Sequence, residues 1–320
     1  ATTDEGATWE ERYDGYGRGA WDGVPGEEKT LLIAEMAPGT LTGTFLWVDR
    51  SGPPRPWVNP VTQGLLPMRI CHESSLDGGR TWGQRRPVDT APHPGASPTG
   101  PLLRLSDGRL AQPYEYWKDY DDVDRPWPAA VLRLSSDGGL TWPSFVTVAA
   151  DLWNARYFWD QRLAAHPDTG QLVAMFWTHR PADGRDLDVH IAWGSPDGLT
   201  WTFPNPTGLP GQHCQPIPAG GDRLVAAYVH RRDPPGIRAV VSDDFGRTWD
   251  RASEVTVYDS AAGAESGATG PRSIGDYWDD MVAWRFGHPR GVLLPSGDVF
   301  VVYYAGDDRA KSVRWARLGL

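Results

Sequence analysis

Ser135-Ser136-Asp137-Gly138-Gly139-Leu140-Thr141-Trp142 is one of five copies of a single pattern, Ser/Thr-x-Asp-x-Gly-x-Thr-Trp. The others begin at Thr2, Ser75, Ser195 and Ser242. The copy at Ser195 is one residue short, reading Ser195-Pro196-Asp197-Gly198-Leu199-Thr200-Trp201. The chemistry is that of a turn between two strands. An Asp carboxylate accepts hydrogen bonds from backbone N–H groups just beyond it, and Gly takes φ > 0 at little steric cost. Thr suits a strand start, and Trp buries a large apolar area against a neighbouring sheet. Five equivalent aspartates cannot all sit at one active site, so their role is structural. A pattern that returns every few tens of residues marks a repeat architecture.

Each interval between copies, and the stretch after the last, holds one more recurring signal: a strand–turn–strand with Gly at the turn. The turn glycines are Gly39, Gly108, Gly170, Gly221 and Gly297, and an apolar, aromatic-rich run follows each, at 44–47, 110–114, 172–177, 224–228 and 299–304. Runs of this kind bounded by Gly and Pro are the signal of strands. The pattern predicts one all-β domain over 1–320, a β-propeller of five four-stranded blades. Each blade runs inner strand, Gly turn, second strand, third strand, box, outer strand. The chain opens on a box and a strand-like stretch to about Tyr13, and it ends on a third-strand run at 312–318. The N-terminal segment is therefore expected to supply the last blade's outer strand, closing the ring and removing an open sheet edge. A sixth blade without a box, within 10–74 or 250–320, is the alternative.

The five boxes resemble the Asp-box (BNR) repeats of the sialidase superfamily, whose members are β-propellers. The resemblance covers architecture along the whole chain. It implies that each box joins the third and fourth strands of a blade, on the face away from the active site. Sialidases use three axial arginines for a substrate carboxylate, a Tyr/Glu nucleophilic pair and an Asp acid. Their first arginine lies in an Arg-Ile-Pro motif on the first inner strand. Here that strand reads Glu27-Glu28-Lys29-Thr30-Leu31-Leu32-Ile33, without arginine, and the similar Arg69-Ile70-Cys71 falls on a third strand. A divergent or non-sialidase member of the superfamily is the reading this departure supports.

Composition narrows the partners. A net charge of −10 argues against nucleic acid. No apolar run approaches the roughly 20 residues that span a bilayer, and no signal peptide opens the chain. We expect a monomer that engages no membrane, secreted with its leader removed rather than cytoplasmic. Cys71 and Cys214 fall in different blades, too far apart to bridge, and neither has the spacing of a metal site, so no cofactor is expected. Residues 261–270 read as a small-residue loop, and helix should be nearly absent. Of 17 Trp, five belong to boxes and several others to packing, which leaves Trp57, Trp117, Trp127, Trp153, Trp159, Trp278 and Trp284 in loops. They serve either as platforms for sugar rings or as packing between blades.

Strand order decides which loops share the face opposite the boxes. They are the second-to-third loops (48–64, 114–128, 178–188, 230–236, 305–311) and the outer-to-inner loops (about 15–29, 90–101, 151–162, 204–215, 259–290). Four stretches there read as a site: 113–125, 156–162, 212–215 and 276–290. Charged residues that start an inner strand point into the central funnel, where burial and neighbours shift pKa values. Asp160 and Glu115 are the expected carboxyl pair, with Asp280 in reserve and Tyr303 or Tyr304 as a candidate nucleophile. Arg162, Arg285 and Arg290 suit an anionic group, because guanidinium grips carboxylate bidentately. His213, His288, Gln215, Trp117 and Trp159 complete the expected binding set.

The leading expectation is a glycoside hydrolase of sialidase-like fold, acting on an acidic or furanosidic glycan with one carboxyl protonated and one ionised. A polysaccharide lyase on the same scaffold would instead rely on His213, His288 and His179 with Tyr or Arg. A carbohydrate-binding propeller would need only the Trp platforms.

Overall fold

The structure, a computed structural model, describes residues 1–13, 19–260, 271–307 and 309–320. Among these residues the chain is all-β apart from one helix, and five sheets follow one another along it in the pattern of a five-bladed β-propeller. It divides into two compact units, Ala1–Ala150 and Asp151–Leu320. The first unit holds two sheets. One runs Ala20–Trp21, Val24–Ala37, Thr40–Asp49, Met68–Ser75 and Arg86–Pro87. The other has an inner strand broken into Ser97–Pro98 and Leu103–Arg104, then Leu110–Tyr116, Ala129–Ser135 and Ser144–Ala149.

The second unit holds three. The third sheet is Tyr157–Ala165, Leu172–Arg180, His190–Gly194 and Asn205–Pro206, with Arg185–Asp186 beside Leu172–Arg180. The fourth is Cys214–Pro218, Leu224–His230, Gly236–Ser242 and Asp250–Asp259. The fifth is Phe286–Leu293, Val299–Gly306 and Lys311–Leu318. All pairings within the sheets are antiparallel, and each Gly turn predicted from the sequence joins an inner to a second strand. The second and third strands are buried along most of their length, with Phe45, Ile70, Tyr114 and Leu132 in the first unit and Phe176 and Tyr228 in the second.

The boxes make the turns their chemistry predicts. In the four full copies the Asp Oδ1 accepts the Thr N–H at 2.8–2.9 Å and Oδ2 accepts the Thr hydroxyl at 2.5–2.7 Å. Gly139 sits at φ +86 and Gly246 at φ +85, which only Gly adopts without strain. The Thr141 hydroxyl first and its N–H second hold the Asp137 carboxyl far below the usual range. Asp137→Ala removes these bonds from a solvent-exposed turn remote from the inner-strand starts. It should lower the melting temperature by several degrees and leave turnover per folded molecule unchanged; a well-folded but inactive variant would place the box in the site.

Two expectations need correction. Residues 1–13 form no strand, and the fifth sheet has three strands among the described residues. The N-terminal segment lies instead beside the second box. Glu10 accepts a hydrogen bond from Arg80 at 3.1 Å, and the Tyr13 and Trp82 rings meet edge to face at 6.2 Å. Ion pairing and aromatic packing there take the place of the ring-closing ladder. The second correction is to the loop placed at about 259–290, which carries the helix Ile274–Ala283, while its part at 261–270 lies outside the described residues; helix is nearly absent, as expected. A reciprocal cap fixes the helix start: Ser273 Oγ accepts from Asp276 N at 3.3 Å and Asp276 Oδ2 from Ser273 N at 2.7 Å.

Buried histidines give the fold a pH limit. His72 stands 2.7 Å from Gln112 Oε1, which also accepts from Thr44 Oγ at 3.1 Å, and burial pushes the His72 pKa down. Burial lowers His190 and His213 as well. Below the unfolded value of about 6.5 the unfolded chain takes up protons that these residues refuse when folded. Stability is therefore lost as pH falls below about 6.5, by up to about 1.4 kcal/mol per pH unit for each such group. Urea unfolding midpoints at pH 7.5 and pH 5 should differ clearly, and equal midpoints would contradict the assignment of neutral buried histidines.

Candidate functional site

The inner strands of the third and fifth sheets break register at matching places. Two residues oppose one between Trp159 and Arg162, and again between Gly287 and Arg290. Within these bulges Asp160 has φ +50 and His288 φ +49, left-handed conformations that non-Gly residues seldom adopt. Each is followed two positions later by an arginine, so the local sequence is Asp160-x-Arg162 in one strand and His288-x-Arg290 in the other. In the first unit, the inner strand Val24–Ala37 has its own irregularity between Lys29 and Leu31, with Thr30 at φ +61.

In the second unit the bulges bring Asp160, Arg162, His213, His288, Arg290 and Gln215 together at the starts of three inner strands. The register places this cluster at the end of the sheets opposite the boxes. Trp159 pairs with Trp177 there, whereas Leu172 pairs with Gly194 beside the fourth box. Arg162 is the hub. Its Nη2 donates to Asp160 Oδ1 at 3.2 Å and its Nε to His213 Nε2 at 2.9 Å. His213 Nδ1 is 3.5 Å from Asp160 Oδ2. Arg162 Nη2 also lies 3.1 Å from His213 Nδ1, so the guanidinium faces both ring nitrogens and disfavours a second proton on the imidazole. The rings of His213 and His288 meet edge to face at 4.6 Å, and Arg290 Nη1 donates to Gln215 Oε1 at 3.2 Å.

The electrostatics follow from this packing. Loss of bulk water pushes the Asp160 carboxyl up, but His213 and Arg162 outweigh it and hold the group ionised, well below its usual range. Burial and then Arg162 push His213 far down. His288, solvent-accessible in the bend of its strand, is also lowered by the surrounding protein and by Arg162 and Arg290, against the pull of Asp160. Burial first and Arg162 second disfavour the charged form of Arg290, yet arginine stays protonated in proteins. Among the described contacts two guanidiniums thus face one carboxylate and two neutral imidazoles, an excess of positive charge.

A second layer holds the cluster in place. Gln212 donates to Asp186 Oδ2 at 2.8 Å and accepts from Arg231 Nε at 2.7 Å. Arg231 also donates to the Phe286 carbonyl at 3.2 Å, and its guanidinium lies 3.6 Å from the Trp284 ring centroid. Tyr277, from the helix, donates its hydroxyl to Asp186 Oδ1 at 2.7 Å. Burial, then the Asp186 charge, pushes the Tyr277 phenol far up, so it acts here as a donor. The sequence reading did not single out Asp186, Arg231 or Tyr277. They stand in the loops it assigned to the site face, and their mutual contacts are not encoded in any local spacing.

The other expected residues have contacts of their own. Glu115 is half-buried near the end of the strand Leu110–Tyr116 in the first unit, paired with Ser97 and Ala130. Trp117 is buried and donates its indole N–H to the Gln63 carbonyl at 2.8 Å, so it braces a loop rather than offering a platform. Trp159 is buried and stacks on His179 at 4.9 Å. Asp280 pairs with Arg272 at 3.1 Å. Arg285 bears on Asp307, whose carboxyl is lowered chiefly by hydrogen bonds from Ala310 and Arg309. Tyr303 packs into the apolar cluster with Phe286, Val229 and Ile237, and Tyr304, on the other face of its strand, approaches the His288 ring at 5.8 Å.

Comparisons with known proteins agree with this architecture. No protein-family profile matches the chain. A sialidase from Micromonospora viridifaciens is 27% identical over 226 residues, 61% of this chain and 33% of that protein, so the chain spans about a third of that relative's length. A protein of unknown function from Dyadobacter fermentans superposes with a TM-score of 0.68 at 19% identity, covering 92% of this chain and 76% of the other. A Hadza microbial sialidase gives 0.61 at 16% identity, covering 90% and 56%. An α-L-arabinofuranosidase from Fusarium graminearum gives 0.54 at 16% identity, covering 90% and 80%. The chain has the sialidase-like β-propeller fold.

Proposed function

We propose that the chain is a glycoside hydrolase acting on an acidic or furanosidic glycan at the cluster built around Asp160. The observation that carries this reading is the pair Arg162 and Arg290 beside a single carboxylate. Their charges are only partly balanced, so an anionic sugar group entering the cluster relieves the repulsion between them. Asp160, held ionised, is the base or nucleophile that hydrolysis requires. Hydrolysis needs a second carboxyl, and Asp280, which stands in the same unit as Asp160, is the one proposed. A sialidase among the relatives supports an acidic sugar, and an arabinofuranosidase among the structural neighbours supports a furanoside. The inner strand Val24–Ala37 carries no arginine, which favours a substrate other than a standard sialoside.

A second reading has an observation of its own. His288 is neutral, solvent-accessible and close to Arg290, an arrangement that suits proton abstraction beside a uronate carboxylate, the first step of a lyase. Aryl glycosides of sialic acid, hexuronic acids and L-arabinofuranose, assayed together with uronate polysaccharides, separate the two. The account predicts release of a reducing sugar from one of these classes. An ultraviolet-absorbing unsaturated product would establish the lyase instead, and saturable binding without turnover would make the chain a lectin.

A further inference from the structure

The shortened fourth box differs from the others in its hydrogen bonds. Thr200 donates its N–H to Ser195 Oγ at 3.0 Å rather than to the Asp carboxylate, and Asp197 Oδ1 accepts from Leu199 N at 3.1 Å and from Ser195 Oγ at 2.5 Å. Thr200 instead lines an open cleft of about 520 Å³, within the range of small-ligand sites. Two indoles, Trp193 and Trp201, line it together with the hydroxyls of Thr169, Thr200 and Thr202 and the amide of Gln171, and no charged side chain does.

The two rings are held in place. A Cβ on Gly194 would come within 2.8 Å of three Trp201 ring atoms, so the indole can lie against the strand only because residue 194 is glycine. Trp201 Nε1 donates to the Gly198 carbonyl at 3.0 Å and Trp193 Nε1 to the Phe245 carbonyl at 2.9 Å. With both N–H groups engaged inside the protein, the rings offer the cleft only their carbon surfaces. Fixed rings also lose little conformational freedom when a ligand settles on them.

We propose that this cleft is a second, non-catalytic binding site, and that its ligand is an uncharged sugar unit of a glycan. The C–H face of a pyranose or furanose ring suits an indole, and its hydroxyls suit the surrounding threonines and Gln171. The lining holds no charged side chain, and the Arg247 guanidinium, 5.6 Å from the Trp193 ring centre, stands outside it. The site lies at the box end of the third sheet, away from Asp160, so it holds a glycan without taking part in cleavage. It stands whether or not the Asp160 cluster is a hydrolase.

Affinity electrophoresis in gels containing dextran, galactomannan, xylan or linear arabinan tests this. At least one of these should retard the wild-type chain, and Trp201→Ala and Thr200→Arg should each weaken that retardation at least about tenfold, the scale of losing a central aromatic contact. Thr200→Arg blocks the cleft while sparing its packing, which keeps the test open should Trp201→Ala misfold. Asp160→Asn should be retarded like the wild type. The proposal fails if none of the four polysaccharides retards the chain, if Thr200→Arg is retarded like the wild type, or if retardation is lost in Asp160→Asn alone, which would assign binding to the Asp160 cluster.

Discussion

Asp160→Asn is expected to lower turnover at least about a hundredfold, the usual scale for losing a general acid or base. The substitution keeps the size of the side chain and one oxygen for Arg162, so the bulge between Trp159 and Arg162 should persist. What it removes is the negative charge that partly offsets Arg162 and Arg290. Binding of an anionic sugar should survive or strengthen, because both guanidiniums remain, so the loss falls on kcat rather than on KM. Asp280→Asn is expected to lower turnover on the same scale. If the two carboxyls act as one unit, the double variant should be little worse than either single one. Near-native turnover in both single variants would remove this carboxyl pair from the mechanism.

Arg85→Met should produce the largest loss of stability. In the first unit Arg85 lies buried between Glu28 and Glu73, donating to Glu73 Oε1 at 2.8 Å and paired closely with Glu28, with side-chain exposures of 5%, 2% and 1%. The rings of Trp21, Phe45 and Trp47 surround its guanidinium at 5.5–5.6 Å. Methionine fills the volume but leaves two carboxylates buried without their cation, which costs about 3–5 kcal/mol in comparable sites. Adding Glu28→Gln and Glu73→Gln removes the stranded charges and should recover much of the loss. Denaturant unfolding of the single and triple variants measures both effects. A single variant within about 1 kcal/mol of wild type would mean that the trio is more hydrated than its burial implies.

The sequence and the structure agree best where information is local and repeated. The box Asp binds the N–H and hydroxyl of a Thr four residues later, and that geometry can be written from the pattern alone. The Gly turns and aromatic second strands were legible for the same reason, and strand order then placed Asp160, His213 and His288 at the same end of their sheets. The details of the site were less accessible. The bulges that turn Asp160 and His288 depend on two residues opposing one across a ladder, which period-two reading does not register. Tyr303 and Tyr304 differ only in which face of one strand they occupy. Tyr304 has its space because Gly287 stands opposite, where a Cβ would come within 2.9 Å of its hydroxyl. Trp117 and Trp159 could be read as platforms or packing until their neighbours were known. The helix at Ile274–Ala283 did carry a signal, the pair Ser273-x-x-Asp276, within a stretch whose acidic and aromatic composition resembled a loop.

The central claim is that the Asp160 cluster receives an anionic sugar through Arg162 and Arg290. Equilibrium binding of a carboxylated monosaccharide and of its methyl ester tests it most directly, measured on Asp160→Asn so that turnover does not interfere. The account predicts that the acid binds at least about tenfold more tightly than the ester, as expected for a charge-assisted bidentate contact. It predicts too that Arg290→Met, added to Asp160→Asn, removes that preference. Equal affinity for acid and ester, or a preference that survives Arg290→Met, would contradict it.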